Sequence, residues 1–217
     1  VLADVTRTNI FMSRLNGGLQ AELLGQHVDL EAQRQLLNLR REYGSKTQLI
    51  VASLHHWETF VQTAGCDVYT APAEVLQNLM SQTEVPPDGV ESKLETSYES
   101  ELEIASEVLD RLPRERIARL WEVEPELIEF LVDYRKSDEL DRTGDGDALY
   151  RRFDKEGFGD VFYAPSGAEW SKIRSDKLPD LDSDLTKSLP IDTHYSLLAD
   201  GDFMNYQDEM DEKLLQL

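Results

Sequence analysis

The sequence predicts an α/β fold: parallel strands joined by crossover helices, followed by an acidic extension that is first helical and then irregular. Three observations predict it. The run Leu49-Ile50-Val51-Ala52 is unbroken in its apolar character. It is too short for a free-standing helix and too continuous for a strand with one wet face, so it suits a strand buried on both faces. The residues that follow alternate between helical and strand patterns up to Met80, with connections of only a few residues, as parallel strands with crossover helices require. The charge is also uneven. Residues 1–83 carry 8 acidic and 6 basic side chains, whereas residues 84–217 carry 35 and 16, which places almost all of the net −21 in the second part.

The elements follow in order. A first strand is expected within Val1–Met12, most narrowly over Val5–Phe11, with Arg14 just past its C-terminal end. Asn16-Gly17-Gly18 marks a turn, and Leu19–Leu24 a short helical turn. Asp29 is the expected N-cap of a helix that runs to Tyr43, with Arg40 and Arg41 in its last turn and Gly44 ending it. After the 49–52 strand, Trp57, Phe60, Val61 and Ala64 recur at helical spacing, and Gly65 stops that helix. Asp67–Thr70 reads as a short strand. Pro72 suits the first turn of a helix bearing Val75, Leu76, Leu79 and Met80 on one face.

Pro86-Pro87-Asp88-Gly89 is a linker, which ends a first segment at residue 83. A helical segment, 84–156, follows. In it Glu99–Leu112 carries Leu102, Ala105, Val108 and Leu109, and Pro113 opens a helix with Ile117, Leu120 and Trp121. Pro125 opens another with Leu127, Ile128, Leu131 and Tyr134, and Leu149–Phe153 reads as one short helix. Residues 157–217 form an irregular acidic tail with little periodicity as far as Asp202, closed by a short helix over Asp208–Leu217.

At 217 residues with 40% hydrophobic and 30% charged side chains, the chain has room for one good core and an appendage. Neither an apolar run of membrane-spanning length nor a leader pattern of basic and then apolar residues is found. A single Cys66 excludes an internal disulfide. These features lead to the expectation of a protein of a reducing compartment, cytosol or organelle stroma or matrix, that is not secreted. The acidic surface repels nucleic acid and anionic membranes and suits basic protein partners.

Three stretches resemble the transaldolase family of class I aldolase-type barrels. Asn9-Ile10-Phe11-Met12-Ser13-Arg14-Leu15 is similar to the family's signature at the end of one barrel strand. Val51-Ala52-Ser53-Leu54-His55 matches its Ala-Ser-apolar-Arg, and Ala64-Gly65-Cys66-Asp67 its Ala-Gly-Cys-Asp ahead of a short strand. The resemblance covers residues 1 to about 82 and implies the last three βα units of a (β/α)8 barrel. It also implies a phosphate-binding set for a sugar phosphate, with Arg14 contacting substrate and Ser53 and His55 holding the phosphate, at the C-terminal ends of strands where such barrels place their sites. The departures bear on function. His55 stands where the family has guanidinium, so the bidentate contact to phosphate is lost. Lys46 is the single lysine before residue 84 and precedes its strand. The family's Schiff-base lysine and acid/base carboxylates belong to earlier strands, and covalent aldol chemistry needs both kinds of group. No cofactor is expected.

Two functions stay open on this reading. One is a non-catalytic interaction or structural subunit of a larger assembly, bound to other chains through its acidic extension. Phe158, Phe162, Tyr163, Trp170, Tyr195, Leu197, Leu198, Phe203 and Tyr206 would then serve as anchors. The other is the C-terminal part of an active transaldolase-like transferase acting on sugar phosphates, with its lysine outside this chain. Asp141, Thr143 and Asp145 fall at calcium-loop positions 1, 3 and 5, but Arg152 occupies position 12, where a bidentate Glu is required, so a polar turn is the stronger reading. The histidines have no zinc spacing with Cys66, and Cys66 suits an inert core position.

Overall fold

The computed structural model describes residues 2–15, 23–85, 89–137, 146–161, 165–174 and 189–215. The chain forms two compact units, Val1–Asp110 and Arg111–Leu217, so residues 89–110 belong with the first unit although the sequence places its boundary at 83.

In the first unit, β1 (Leu2–Asp4) leads directly into α1 (Val5–Leu15), followed by α2 (Leu24–Tyr43), β2 (Ile50–Ala52), α3 (Glu58–Gln62), β3 (Val68–Tyr69) and α4 (Ala73–Ser81). The three strands form one parallel sheet in the order β1-β2-β3, with Leu2 opposite Ile50 and Ile50 opposite Val68. The strand expected within residues 1–12 is present at Leu2–Asp4, but its narrower placement over Val5–Phe11 is corrected: those residues are helical. Their buried positions, Val5, Thr8, Phe11 and Met12, recur at helical rather than alternating spacing, with a threonine filling one place in the stripe. Helix α2 begins five residues before the expected cap, and Asp29 is buried within it beside Leu30. Gly44 closes α2 at φ 67°, and its N–H donates to Arg40 O at 3.1 Å, a left-handed cap that glycine adopts without a Cβ clash.

The core of this unit gathers Val5, Leu30, Leu36, Leu49, Val51, Leu54, Cys66 and Tyr98. Leu49 and Val51 are fully buried, which is why the 49–52 run carries no polar residue. Asp67 and Arg40 tie the far end of the sheet to α2. Arg40 donates from Nη1 to Asp67 Oδ1 at 2.9 Å and from Nη2 to Asp67 Oδ2, while Leu49 N–H donates to Asp67 Oδ2 at 3.0 Å. Arg34 donates to Thr96 O at 3.1 Å and to Leu94 O at 2.5 Å, which fastens the segment after α4 to α2. The expected helix over Glu99–Leu112 is broken. A 3-10 turn spans Glu99–Glu101, Leu102 is extended at ψ 111°, and α5 covers only Ser106–Leu109.

The second unit holds α6 (Arg114–Ala118), α7 (Pro125–Lys136), α8 (Gly146–Lys155), a 3-10 turn at Gly159–Val161, α9 (Gly167–Ile173) and α10 (Ile191–Leu214). Phe130 packs against Tyr134, Phe153 and Phe158 with ring centroids 4.9–5.8 Å apart, joining α7 to α8. Helix α9 starts with a capping box in which Ser166 Oγ accepts from Glu169 N–H and Glu169 accepts from Ser166 N–H. The irregular tail expected as far as Asp202 is corrected in its last part, because α10 runs unbroken for 24 residues from Ile191. Its buried stripe is Ile191, His194, Leu197, Leu198 and Gly201. A histidine and a glycine occupy places in that stripe, so its apolar period is hidden. A Cβ on Gly201 would lie 2.8 Å from Ile173 Cγ2, and glycine is what lets α9 and α10 approach this closely.

Candidate functional site

A cleft of about 520 Å³ opens beside the C-terminal end of β2, walled by α1 and α3 and floored by α2. From α1 it takes Val5, Thr6, Asn9, Ile10 and Ser13, which share one helical face; from α2, Gln26; from the β2–α3 connection and α3, His56, Glu58, Thr59 and Gln62.

The backbone that shapes this wall is specific. Ser53, the first residue beyond β2, has φ 57°, a left-handed conformation uncommon for a residue with a Cβ. The Thr6 hydroxyl donates to Ser53 O and so ties the start of α1 to this turn. Gly25 lies against Val5: a Cβ there would sit 2.3 Å from Val5 O. That close approach brings Gln26 and Asn9 to hydrogen-bonding distance.

The polar lining forms a directed relay. Gly25 N–H donates to Asn9 Oδ1 at 2.8 Å, Asn9 Nδ2 to Gln26 Oε1 at 3.2 Å, and Gln26 Nε2 to Gln62 Oε1 at 3.0 Å. Each amide accepts from the one before and donates to the one after. The relay ends on the Gln62 amide nitrogen, and Tyr98 Oη donates to Gln62 O at 2.9 Å, which steadies the backbone of that residue. Glu58 precedes Gln62 by one helical turn and is exposed at the rim with His56.

Of the residues the sequence singles out, Ser53 and His55 directly follow β2, with Ser53 half-buried and His55 exposed. Arg14 is exposed in the last turn of α1, ten residues beyond β1, since the segment before it is helical and carries it away from the strand end. None of the three is among the residues lining the cleft. Of the amides that do line it, Asn9 belongs to the 9–15 stretch singled out in the sequence, whereas Gln26 and Gln62 belong to no motif. Their spacing in sequence gives no sign of a cluster, because it is made by the packing of α1 on α2. Lys46 is exposed in the connection ahead of β2.

Burial pushes the Cys66 thiol up to about 12, so it stays protonated and unreactive at neutral pH. Asp141, Thr143 and Asp145 lie outside the described residues, as do Phe162 and Tyr163. Arg152 pairs with Glu156 and stands 5.7 Å from the Phe130 ring centre. Among the described residues no group of His, Cys, Asp and Glu could hold a metal ion, and no helix is long and apolar enough to cross a membrane.

The second candidate surface is the end of α10. Phe203, Tyr206, Met210 and Leu214 are each 57–62% exposed and fall on one side of the helix. Asn205 and Asp208 face the opposite way, toward α9: Arg174 Nε donates to Asn205 Oδ1 at 2.9 Å, and Arg174 pairs with Asp208. Of the other expected anchors, Leu197 and Leu198 are buried, Trp170 and Tyr195 are half-buried and Phe158 packs on Phe130, so among the described residues the exposed anchors lie after Asp202.

Comparison with protein-family models, with characterised proteins and with solved structures matched none of them.

Proposed function

We propose that this chain is a non-catalytic interaction subunit, with a partial barrel like that of the transaldolases as its rigid body and the end of α10 as its docking surface. The observation that carries this reading is the outward apolar row Phe203, Tyr206, Met210 and Leu214 on a helix whose opposite side is held by Arg174. Exposed apolar rows at helical spacing are the recognition element of helix-mediated association. From Asp200 to Leu214 the helix bears six acidic side chains, at 200, 202, 208, 209, 211 and 212, against Lys213 alone. A second copy would bring like charges together. The surface therefore suits a basic amphipathic helix, whose apolar face covers the row while Lys and Arg meet the flanking carboxylates.

The sequential order of the three parallel strands supports the barrel-segment reading, since same-handed crossovers between neighbouring strands place helices on one face. The transferase alternative needs an amine beside a proton-transfer group, and the cleft lining offers His56 and Glu58 without an amine.

The test uses a synthetic basic amphipathic helix carrying leucines at i, i+3 and i+7. Its fluorescence anisotropy should rise saturably with the full chain and respond at least tenfold more weakly to a Tyr206→Asp, Met210→Asp variant. An acidic peptide of the same apolar pattern should not bind. Equal binding of both peptides, or no effect of the substitutions, would refute the docking surface. Borohydride trapping of a sugar phosphate on the chain would refute the non-catalytic reading.

A further inference from the structure

We infer that the cleft between α1 and α3 is a binding site for a neutral, polyhydroxylated small molecule, an unphosphorylated sugar or polyol. The inference is independent of the docking surface on α10.

Charge decides against an anion. Among the ten described residues that line the cleft there is neither Lys nor Arg, and Glu58 contributes a carboxylate. A phosphate depends on charge-assisted donors, and a carboxylate at the rim opposes it. Arg14, the one guanidinium that the sequence assigns to such a role, is carried off the strand end by α1. One carboxylate is also too little to select a metal cation, which takes several oxygen ligands.

Hydrogen-bonding geometry favours hydroxyls. A hydroxyl both donates and accepts, so the host must offer both kinds of group close together. Glu58 and Gln62, one turn apart on α3, supply an acceptor and a donor at the spacing of neighbouring side chains on a helix. The donor is pre-oriented: the chain from Gly25 N–H through Asn9 and Gln26 fixes Gln62 Oε1 as an acceptor and leaves its amide nitrogen to face a guest. A relay of this kind also polarises its last member, which strengthens the bond it makes. Thr59, nearly buried, adds a hydroxyl, and Ile10 offers the apolar patch on which the C–H face of a sugar can rest. A volume of about 520 Å³ is within the range of small-molecule sites.

The experiment titrates the ¹⁵N-labelled full chain with D-ribose, erythritol, inorganic phosphate and ribose 5-phosphate, following the side-chain amide resonances. The expected result is saturable shifts of the Asn9, Gln26 and Gln62 amides with the neutral compounds in the millimolar range, and binding of ribose 5-phosphate at least threefold weaker than ribose. Gln62→Leu should weaken ribose at least tenfold. Glu58→Gln, an exposed change that leaves the fold intact, should weaken ribose about threefold and abolish the discrimination against ribose 5-phosphate. Absence of saturation by 100 mM of either neutral compound, tighter binding of the phosphorylated sugar or of inorganic phosphate, or unchanged ribose affinity in both variants would overturn the inference.

Discussion

Gly25→Ala tests the joint on which the cleft rests. The added Cβ would meet Val5 O at 2.3 Å, Val5 Cα at 2.8 Å and Val5 C at 2.9 Å. All three are backbone atoms, so no rotamer change relieves the overlap, and reaching ordinary contact at 3.4 Å requires α1 and α2 to separate by about 1 Å at this end. Overpacking of this kind costs about 1–3 kcal/mol or more. The same movement stretches the bond from Gly25 N–H to Asn9 Oδ1, now 2.8 Å, and a lost bond of this type costs about 1 kcal/mol. Against this, alanine is favoured over glycine inside a helix by up to about 1 kcal/mol, and by less in a first turn. The balance is a destabilisation of about 2–3 kcal/mol, equivalent to a roughly 30- to 150-fold loss of amide protection. Hydrogen exchange read by mass spectrometry on peptides from α1 and α2 measures it locally, which matters because two compact units need not unfold together. Gly44→Ala is the control. Nothing lies within 4 Å of a Cβ there, and its only penalty is the positive φ, about 1 kcal/mol. Protection in Gly25→Ala equal to or above wild type would refute the close-packed joint and, with it, the geometry assigned to the relay.

Three further outcomes are expected. Hydrogen bonding from Arg40 lowers Asp67 from 3.8 to about 2, so its contribution to stability is complete above about 3.8 and is lost as pH falls toward 2. Acid unfolding of the first unit should shift to higher pH in Arg40→Met, and an unmoved transition would contradict the role given to this pair. Burial lowers His194 to about 4, so the second unit should lose stability, on the order of 3 kcal/mol at most, as pH falls from 6.5 toward 4. The folded unit excludes the proton that the unfolded chain takes up, and His194→Gln should flatten that dependence. Cys66 should resist iodoacetamide at pH 8 in the folded chain and react at the rate of a free thiol in urea, and equal rates in the two states would show the core to be open.

Much of the first unit was legible because its signals were local. The 49–52 run, the Pro72 start and Gly44 each specify structure within a few residues, and β2, the start of α4 and the end of α2 fall at those places. Val5–Phe11 reads as a strand because Thr8 fills a buried helical position and interrupts the apolar period, leaving β-branched residues to suggest a strand. The long helix α10 was hidden in the same way by His194 and Gly201, both buried, and the packing that calls for Gly201 appears only once α9 is in place. The cleft was illegible for a different reason. Asn9, Gln26 and Gln62 are ordinary amides in sequence, and only the approach of α2 to α1 at Gly25 makes them a relay.

The central claim, that the outward side of α10 is a docking surface for a basic partner, is tested most directly by a photo-crosslinking amino acid placed at Met210 in the full chain within the cells that express it. Met210 is 57% exposed and lies in the middle of the apolar row. The account predicts crosslinks to a Lys- and Arg-rich helical segment of another protein, reduced at least tenfold when Tyr206→Asp is added. Crosslinks confined to the chain itself, or to an acidic partner, would contradict it.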